Sequence, residues 1–236
     1  MILPSPHTPP LLAPGATPPQ SDSVLRRTFL KFTGLGITGV ALAAAGCRIN
    51  KDEETNTVEV GKHDLAILNY AYALEQLEGA FYEKVVAGFY SGATELEKDL
   101  LTDIRNDEIA HREWFREVLV LKKVPKLEFD FSSINFTDRR SVLTTARTFE
   151  DLGVSAYNGA GQLLALSPFL NHAGKIVSVE ARHAATIRNL ISFGSFADAD
   201  VVNANGLDVV RTPPQVMALA DKYFVTKVKV DELPTH

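Results

Sequence analysis

The 236-residue chain is poor in the residues that build several familiar kinds of site. A single cysteine excludes a disulfide framework and any zinc site made of thiolates. There is no basic excess: 24 Lys and Arg against 29 Asp and Glu leave a net charge of -5. Binding a phosphate backbone needs a basic face, so nucleic acid is not an expected partner. Fifteen glycines are too few for a collagen repeat. No apolar run reaches the roughly 20 residues of a bilayer-spanning helix, and a mean hydropathy near zero excludes a polytopic membrane protein. What is present is bulk for a core: 45% apolar residues, with 13 Phe and 6 Tyr, suit one globular domain with chain to spare.

The spare chain lies at the start. Seven of the 12 prolines fall within residues 1–19, in a tract without apolar period, so residues 1–25 read as a disordered Pro-rich N-terminus. Arg26-Arg27-Thr28-Phe29-Leu30-Lys31 follows, then an uncharged run of 15 residues, 32–46, ending in Ala43-Ala44-Ala45-Gly46. As a helix that run is about 22 Å long, too short to span a bilayer and without a polar face. A charged flank, an apolar stretch and small residues make the three-part plan of an export signal over residues 26–46. Arg26 and Arg27 with Phe-Leu-Lys resemble a twin-arginine signal, and Cys47 after Ala-Ala-Gly resembles a bacterial lipobox. These resemblances imply a periplasmic or cell-envelope protein anchored to a membrane through lipid on Cys47. A plain cleavage that leaves an idle thiol is the alternative. Removing residues 1–46 takes away three basic residues and one acidic one, leaving -7. A polar tether, 47–61, leads to the fold.

From residue 62 to 194 the pattern is helical. A first helix is expected over 64–90, stopped by Ser91-Gly92. The second opens with Thr94-Glu95-Leu96-Glu97, a capping box in which Thr94 and Glu97 satisfy each other's end amides, and closes with Lys122-Lys123 before Pro125. A third is expected over 139–166. The fourth has Ser167 as N-cap, Pro168 at its first position and Gly194 past its end. Residues 124–138 alternate apolar and charged and read as extended chain. Fifteen extended residues reach roughly 50 Å, more than the ~40 Å of a 27-residue helix. The connector is therefore long enough to cross the whole bundle. The expected fold is all-α: a four-helix bundle of two antiparallel hairpins joined by a long crossover. Residues 195–236 form an extension with a short helix near 214–224.

Two of the six histidines fall in Glu-x-x-His: Glu108-Ile-Ala-His111 and Glu180-Ala-Arg-His183. On a helix, residues three apart share a face, so each pair can offer a carboxylate and an imidazole to one ion. The surrounding positions on those faces are apolar, so the carboxylates point inward, where an unpaired charge is costly without a cation, a network or a proton. The other two helices hold Glu75 and Glu150, each followed seven residues later by a tyrosine, Tyr82 and Tyr157. Glu75 and Glu108 are centred on the Gly92 turn, Glu150 and Glu180 on the Ser167-Pro168 turn. Antiparallel hairpins place such residues at equal heights, so two facing hairpins converge six ligands. Glu78 shares the Glu75 face and is an alternative or bridging ligand. Tyr82 and Tyr157 fit either core positions or groups beside the ligands. Gly153, Gly159 and Gly161 read as sites of close helix approach, Arg182 and Asp151 as members of surface ion pairs.

These features resemble the ferritin-like di-iron carboxylate superfamily, with Glu from two helices and Glu-x-x-His from the other two. Leu74-Glu75-Gln76-Leu77-Glu78-Gly79-Ala80-Phe81-Tyr82 and Phe149-Glu150-Asp151-Leu152-Gly153-Val154-Ser155-Ala156-Tyr157 are similar to its exported ferritin-like or desiccation-related branch. The resemblance implies that Glu75, Glu108, His111, Glu150, Glu180 and His183 bind two divalent ions. Oxygen and imidazole donors suit Fe, with Mn as the second choice. It also implies iron handling or oxygen and peroxide chemistry in the cell envelope. A non-enzymatic stress-protective module and a homodimer stay open.

Overall fold

A computed structural model describes residues 56–231 and residue 233. The Pro-rich segment, the export signal with Arg26 and Arg27, Cys47 and most of the tether lie outside the described residues. The remainder holds four long helices: α1 (His63–Ala87), α2 (Glu95–Leu119), α3 (Arg139–Gly161) and α4 (Ser167–Ile191). A short α5 (Pro213–Ala220) and a pair of three-residue strands, β1 (Thr57–Glu59) and β2 (Lys227–Lys229), complete the regular structure. The helices form the expected bundle, with α1 packed on α2, α3 on α4, and the two hairpins meeting along α1 and α3.

Burial sorts the helices into an inner and an outer pair. Eighteen of 25 residues are buried in α1 and 14 of 23 in α3, against six in α2 and eight in α4. The outer helices are amphipathic; α1 is covered all round because the crossover runs along its outside. Two polar residues on one face of α1 make that crossover adhere. Asn69 donates to the carbonyls of Val60 and Lys122 at 3.0 and 2.8 Å and accepts from the Val124 amide at 2.8 Å. Gln76, two turns on, donates to Pro125 O at 3.2 Å and accepts from Leu127 N at 2.9 Å. A buried irregular segment must find partners for its backbone, and these two side chains supply them. Phe81 then gathers Tyr82, Phe131, Phe136 and Phe149 around it at 5.0 to 6.2 Å between ring centroids. Each such ring contributes roughly 1.5–3 kcal/mol on burial.

Thr94 makes the expected capping box with Glu97. Other boundaries differ from expectation. Helix α1 stops at Ala87 and α3 at Gly161, short of residues 90 and 166. Ser167 is not the cap of α4 but its first residue. The Asp64 carboxylate, from the start of α1, accepts instead from the amides of Ala165 and Leu166 at 3.0 and 2.8 Å. The amides of the turn that leads into α4 thus find their acceptor in another helix, which local sequence does not announce. The end of the supposed tether also belongs to the fold. Residues 57–59 pair in parallel with 227–229, and Val58 and Val60 are buried.

The three glycines of α3, expected at sites of close helix approach, have different neighbours. A Cβ on Gly159 would lie 1.9 Å from the Arg211 carbonyl oxygen, so this glycine admits the C-terminal extension. The Arg211 amide donates to Ser155 O beside it at 3.1 Å. Gly153 faces the bundle interior, where a Cβ would meet carboxylate oxygens of Glu78 at 3.0 Å and Glu180 at 3.1 Å. Gly161 has only an ordinary contact with Leu170.

Candidate metal centre

Each helix brings its acid to the same level of the bundle axis. Glu75 comes from α1, Glu108 and His111 from α2, Glu150 from α3, and Glu180 and His183 from α4. Their donor atoms form two overlapping groups. Glu75, Glu108, His111 and Glu180 make one, Glu108, Glu150, Glu180 and His183 the other, each with one atom per residue within 4.8 Å of the rest. Glu108 and Glu180 belong to both. His111 Nδ1 lies 3.0 Å from Glu180 Oε1, 3.4 Å from Glu75 Oε2 and 3.6 Å from Glu108 Oε2. His183 Nδ1 lies 2.8 Å from Glu108 Oε1 and 3.5 Å from Glu150 Oε2.

The donor set fits divalent cations on the state of its own atoms. Both oxygens of Glu108, both of Glu180, one each of Glu75 and Glu150, and Nδ1 of both histidines are buried without a well-formed hydrogen bond. So many unsatisfied acceptors facing one another would be costly unless something positive lay among them. Oxygen and imidazole donors, with two carboxylates shared, suit a pair of ions such as Fe or Mn.

The tyrosines tie the halves together. Tyr82 of α1 donates its hydroxyl to Glu150 Oε1 on α3, and Tyr157 of α3 donates to Glu75 Oε1 on α1. Each fixes one oxygen of the opposite hairpin's carboxylate and leaves the other oxygen turned inward. Glu78 lies beside this set, fully buried and within the field of Glu75, Glu108, Glu150 and Glu180, but in neither donor group.

Burial and crowding set the protonation of the metal-free cluster. Burial raises the Glu75 carboxyl to about 7, against the pull of His111. Burial and the neighbouring carboxylates push Glu180 and Glu78 well above the usual range, and burial raises Glu150. Glu108 goes the other way: burial opposes its ionisation, but the close approach of His111 and His183 outweighs that and holds it at about 2. Burial would likewise neutralise the histidines, yet the charge of Glu75 beside His111 and of Glu150 beside His183 raises both. Protons on the imidazoles thus supply the positive charge.

Two polar groups next to the centre were not singled out by sequence. Asp107 accepts from His183 Nε2 at 3.3 Å, orienting the ring from outside. Its signal is an acid immediately before the Glu of Glu-x-x-His. Arg188, buried on α4, donates to both oxygens of Asp151 at 2.8 and 2.6 Å and to Asp200 at 3.0 and 2.8 Å. Asp151 thus has a buried partner rather than a surface one, and the clasp holds the C-terminal extension. Arg182 donates to the Ser178 carbonyl and hydroxyl of its own helix at 3.0 and 3.2 Å.

A family model described as a ferritin-like domain matches residues 63–192, more than half of the chain. A comparison with curated proteins finds no match.

Proposed function

The chain belongs to the ferritin-like domain family, and on that premise we propose that it is an exported protein holding two divalent metal ions, iron before manganese. The observation that carries the reading is the pair of donor groups sharing Glu108 and Glu180, lined with buried oxygens that lack partners. Glu75 and His111 would complete one position, Glu150 and His183 the other. Glu108 and Glu180 would bridge. Four carboxylates then neutralise two dications with both imidazoles uncharged. Two redox-active ions held by these residues would supply one-electron couples for chemistry on O2 or peroxide.

The protein's own groups set the conditions for that chemistry. Tyr82 and Tyr157 hold Glu150 and Glu75 in place and keep a proton on each phenol, because burial and the adjacent carboxylate raise both hydroxyls. Phe81, Phe149, Leu101 and Ile104, all buried, belong to the apolar core that surrounds these helices' acids with dry packing. Iron oxidation or peroxide removal in the cell envelope is the activity this supports, with the export signal at 26–46 and lipid on Cys47 accounting for location. Folded export suits a metal loaded before secretion.

Metal content after anaerobic loading with Fe²⁺ or Mn²⁺ and desalting tests the reading. Two ions per chain are expected, with none retained in Glu108→Ala or Glu180→Ala. A folded chain that retains no metal overturns it and leaves a stress-protective module without redox chemistry.

A further inference from the structure

The centre meets solvent only at its histidines. The side chains of Glu75, Glu108, Glu150 and Glu180 are 0% exposed, whereas those of His111 and His183 are 12% and 7% exposed. Both histidines stand on the outer helices. These two helices lack the close packing found within each hairpin and between α1 and α3. Outside the six candidate ligands' contacts with one another, two side-chain pairs among the described residues bridge their seam. Asp107 meets His183, and Trp114 stacks on His172 with ring centroids 4.9 Å and planes 17° apart. His111 lies between these bridges on α2, one turn beyond Asp107 and one short of Trp114.

The α2 side of the seam carries a stripe of negative charge. Asp107 has a side chain 41% exposed, and the exposed Asp103 and Asp99 precede it at four-residue steps. Residues so spaced form one stripe along a helix, here running towards His111 and His183. Two nearby cations are turned to other partners: Arg182 lies along α4 on Ser178, and Arg112 pairs with Glu83 and Glu113; the exposed Lys175 stands one turn beyond His172, at the far end of the seam from the acids. A hydrated dication crosses an apolar wall only at great cost, so a way in must have acidic lips.

We propose that the α2–α4 seam between the Asp107–His183 and Trp114–His172 bridges is the port through which divalent cations reach the centre. Asp103 and Asp107 receive the ion and pass it inward beside the two histidines. The inference rests on the centre binding metal.

The experiment follows the association rate of Mn²⁺ with the full metal-free chain at low ionic strength. Asp99→Asn with Asp103→Asn removes two charges of the stripe and leaves the Asp107–His183 contact in place. It is expected to slow association about tenfold, as loss of a focusing charge pair does, with the difference closing in high salt. Two ions per chain should still bind. A wild-type rate in this variant overturns the port alone, and so does equal slowing in Glu128→Gln with Asp208→Asn, which removes two charges away from the seam. A wild-type chain that binds no Mn²⁺ overturns the metal centre itself.

Discussion

The two halves of the centre look like copies. Glu75, Glu78 and Tyr82 on α1 correspond to Glu150, Gly153 and Tyr157 on α3 at a constant offset of 75 residues. Asp107, Glu108 and His111 on α2 correspond to Val179, Glu180 and His183 on α4 at an offset of 72. The ligands and the tyrosines are preserved between halves; two neighbours are not. Where the first hairpin carries Glu78, the second has a glycine that leaves room for it. Where His183 finds Asp107 across the seam, the position corresponding to that acid opposite His111 is Val179, which offers no acceptor. Carboxylate support fixes a histidine's tautomer and raises its basicity, and its loss typically costs 10–100-fold in metal affinity. The halves therefore share a plan of donors but should differ in how firmly each would hold an ion.

The largest effect that would break the comparison is on stoichiometry. Removing a shared carboxylate should empty both positions, as in Glu180→Ala, while Glu75→Ala and Glu150→Ala should each leave one ion. The asymmetry predicts more: the ion left by Glu75→Ala, on the His183 side, should bind about tenfold more tightly than the ion left by Glu150→Ala. Isothermal titration with Mn²⁺ would measure both, and equal residual affinities would remove Asp107 as a source of difference.

A smaller effect concerns pH. In the metal-free chain the Glu75 carboxyl titrates at about 7 instead of 4.5. A raised value means that the folded state holds the proton more firmly than the unfolded chain. Its contribution to stability is complete below 4.5 and is lost as pH rises through 7. Glu108, held at about 2, contributes in the opposite sense: its share is present above 4.5 and lost as pH falls towards 2. Thermal melts of the metal-free chain should therefore fall by a few degrees between pH 4.5 and 7, the interval set by Glu75. Glu75→Gln should flatten that slope. Added metal should reverse it, because a cation favours the ionised carboxylate and competes best once the proton has gone.

The plan of the bundle was legible because it rests on local signals. The Thr94 capping box, the Gly92 turn and the apolar surroundings of each Glu-x-x-His are all short-range, and equal distances from two turns sufficed to align the acids. What sequence did not disclose lies in contacts between distant segments. Asp64 holds the turn before α4 from a hundred residues away, Asn69 and Gln76 receive a crossover more than 45 residues further on, and Arg211 rests on Gly159. An acid or amide in an apolar helix announces that it needs a partner without saying which. The tyrosines illustrate this: their spacing from Glu75 and Glu150 placed them near the centre, but not on the opposite hairpin's carboxylate.

The smallest effect bears most directly on the break in symmetry at Gly153. Alanine in place of glycine within a helix ordinarily stabilises by about 1 kcal/mol. Here the added methyl would stand 3.0 Å from a Glu78 oxygen and 3.1 Å from a Glu180 oxygen, both on buried side chains. The helical gain should be cancelled, and Gly153→Ala should weaken binding at the shared Glu180. Shortening the other partner relieves the nearer contact, so Glu78→Ala combined with Gly153→Ala should recover the helical gain. A double-mutant cycle by thermal melting, with Mn²⁺ affinity measured alongside, separates two origins for the glycine. Coupling of about 1 kcal/mol would mean that Gly153 serves the extra carboxylate of the first half, and that the two residues diverged from symmetry together. Additivity would mean that the glycine accommodates Glu180, a ligand common to both positions, and that Glu78 is an independent addition.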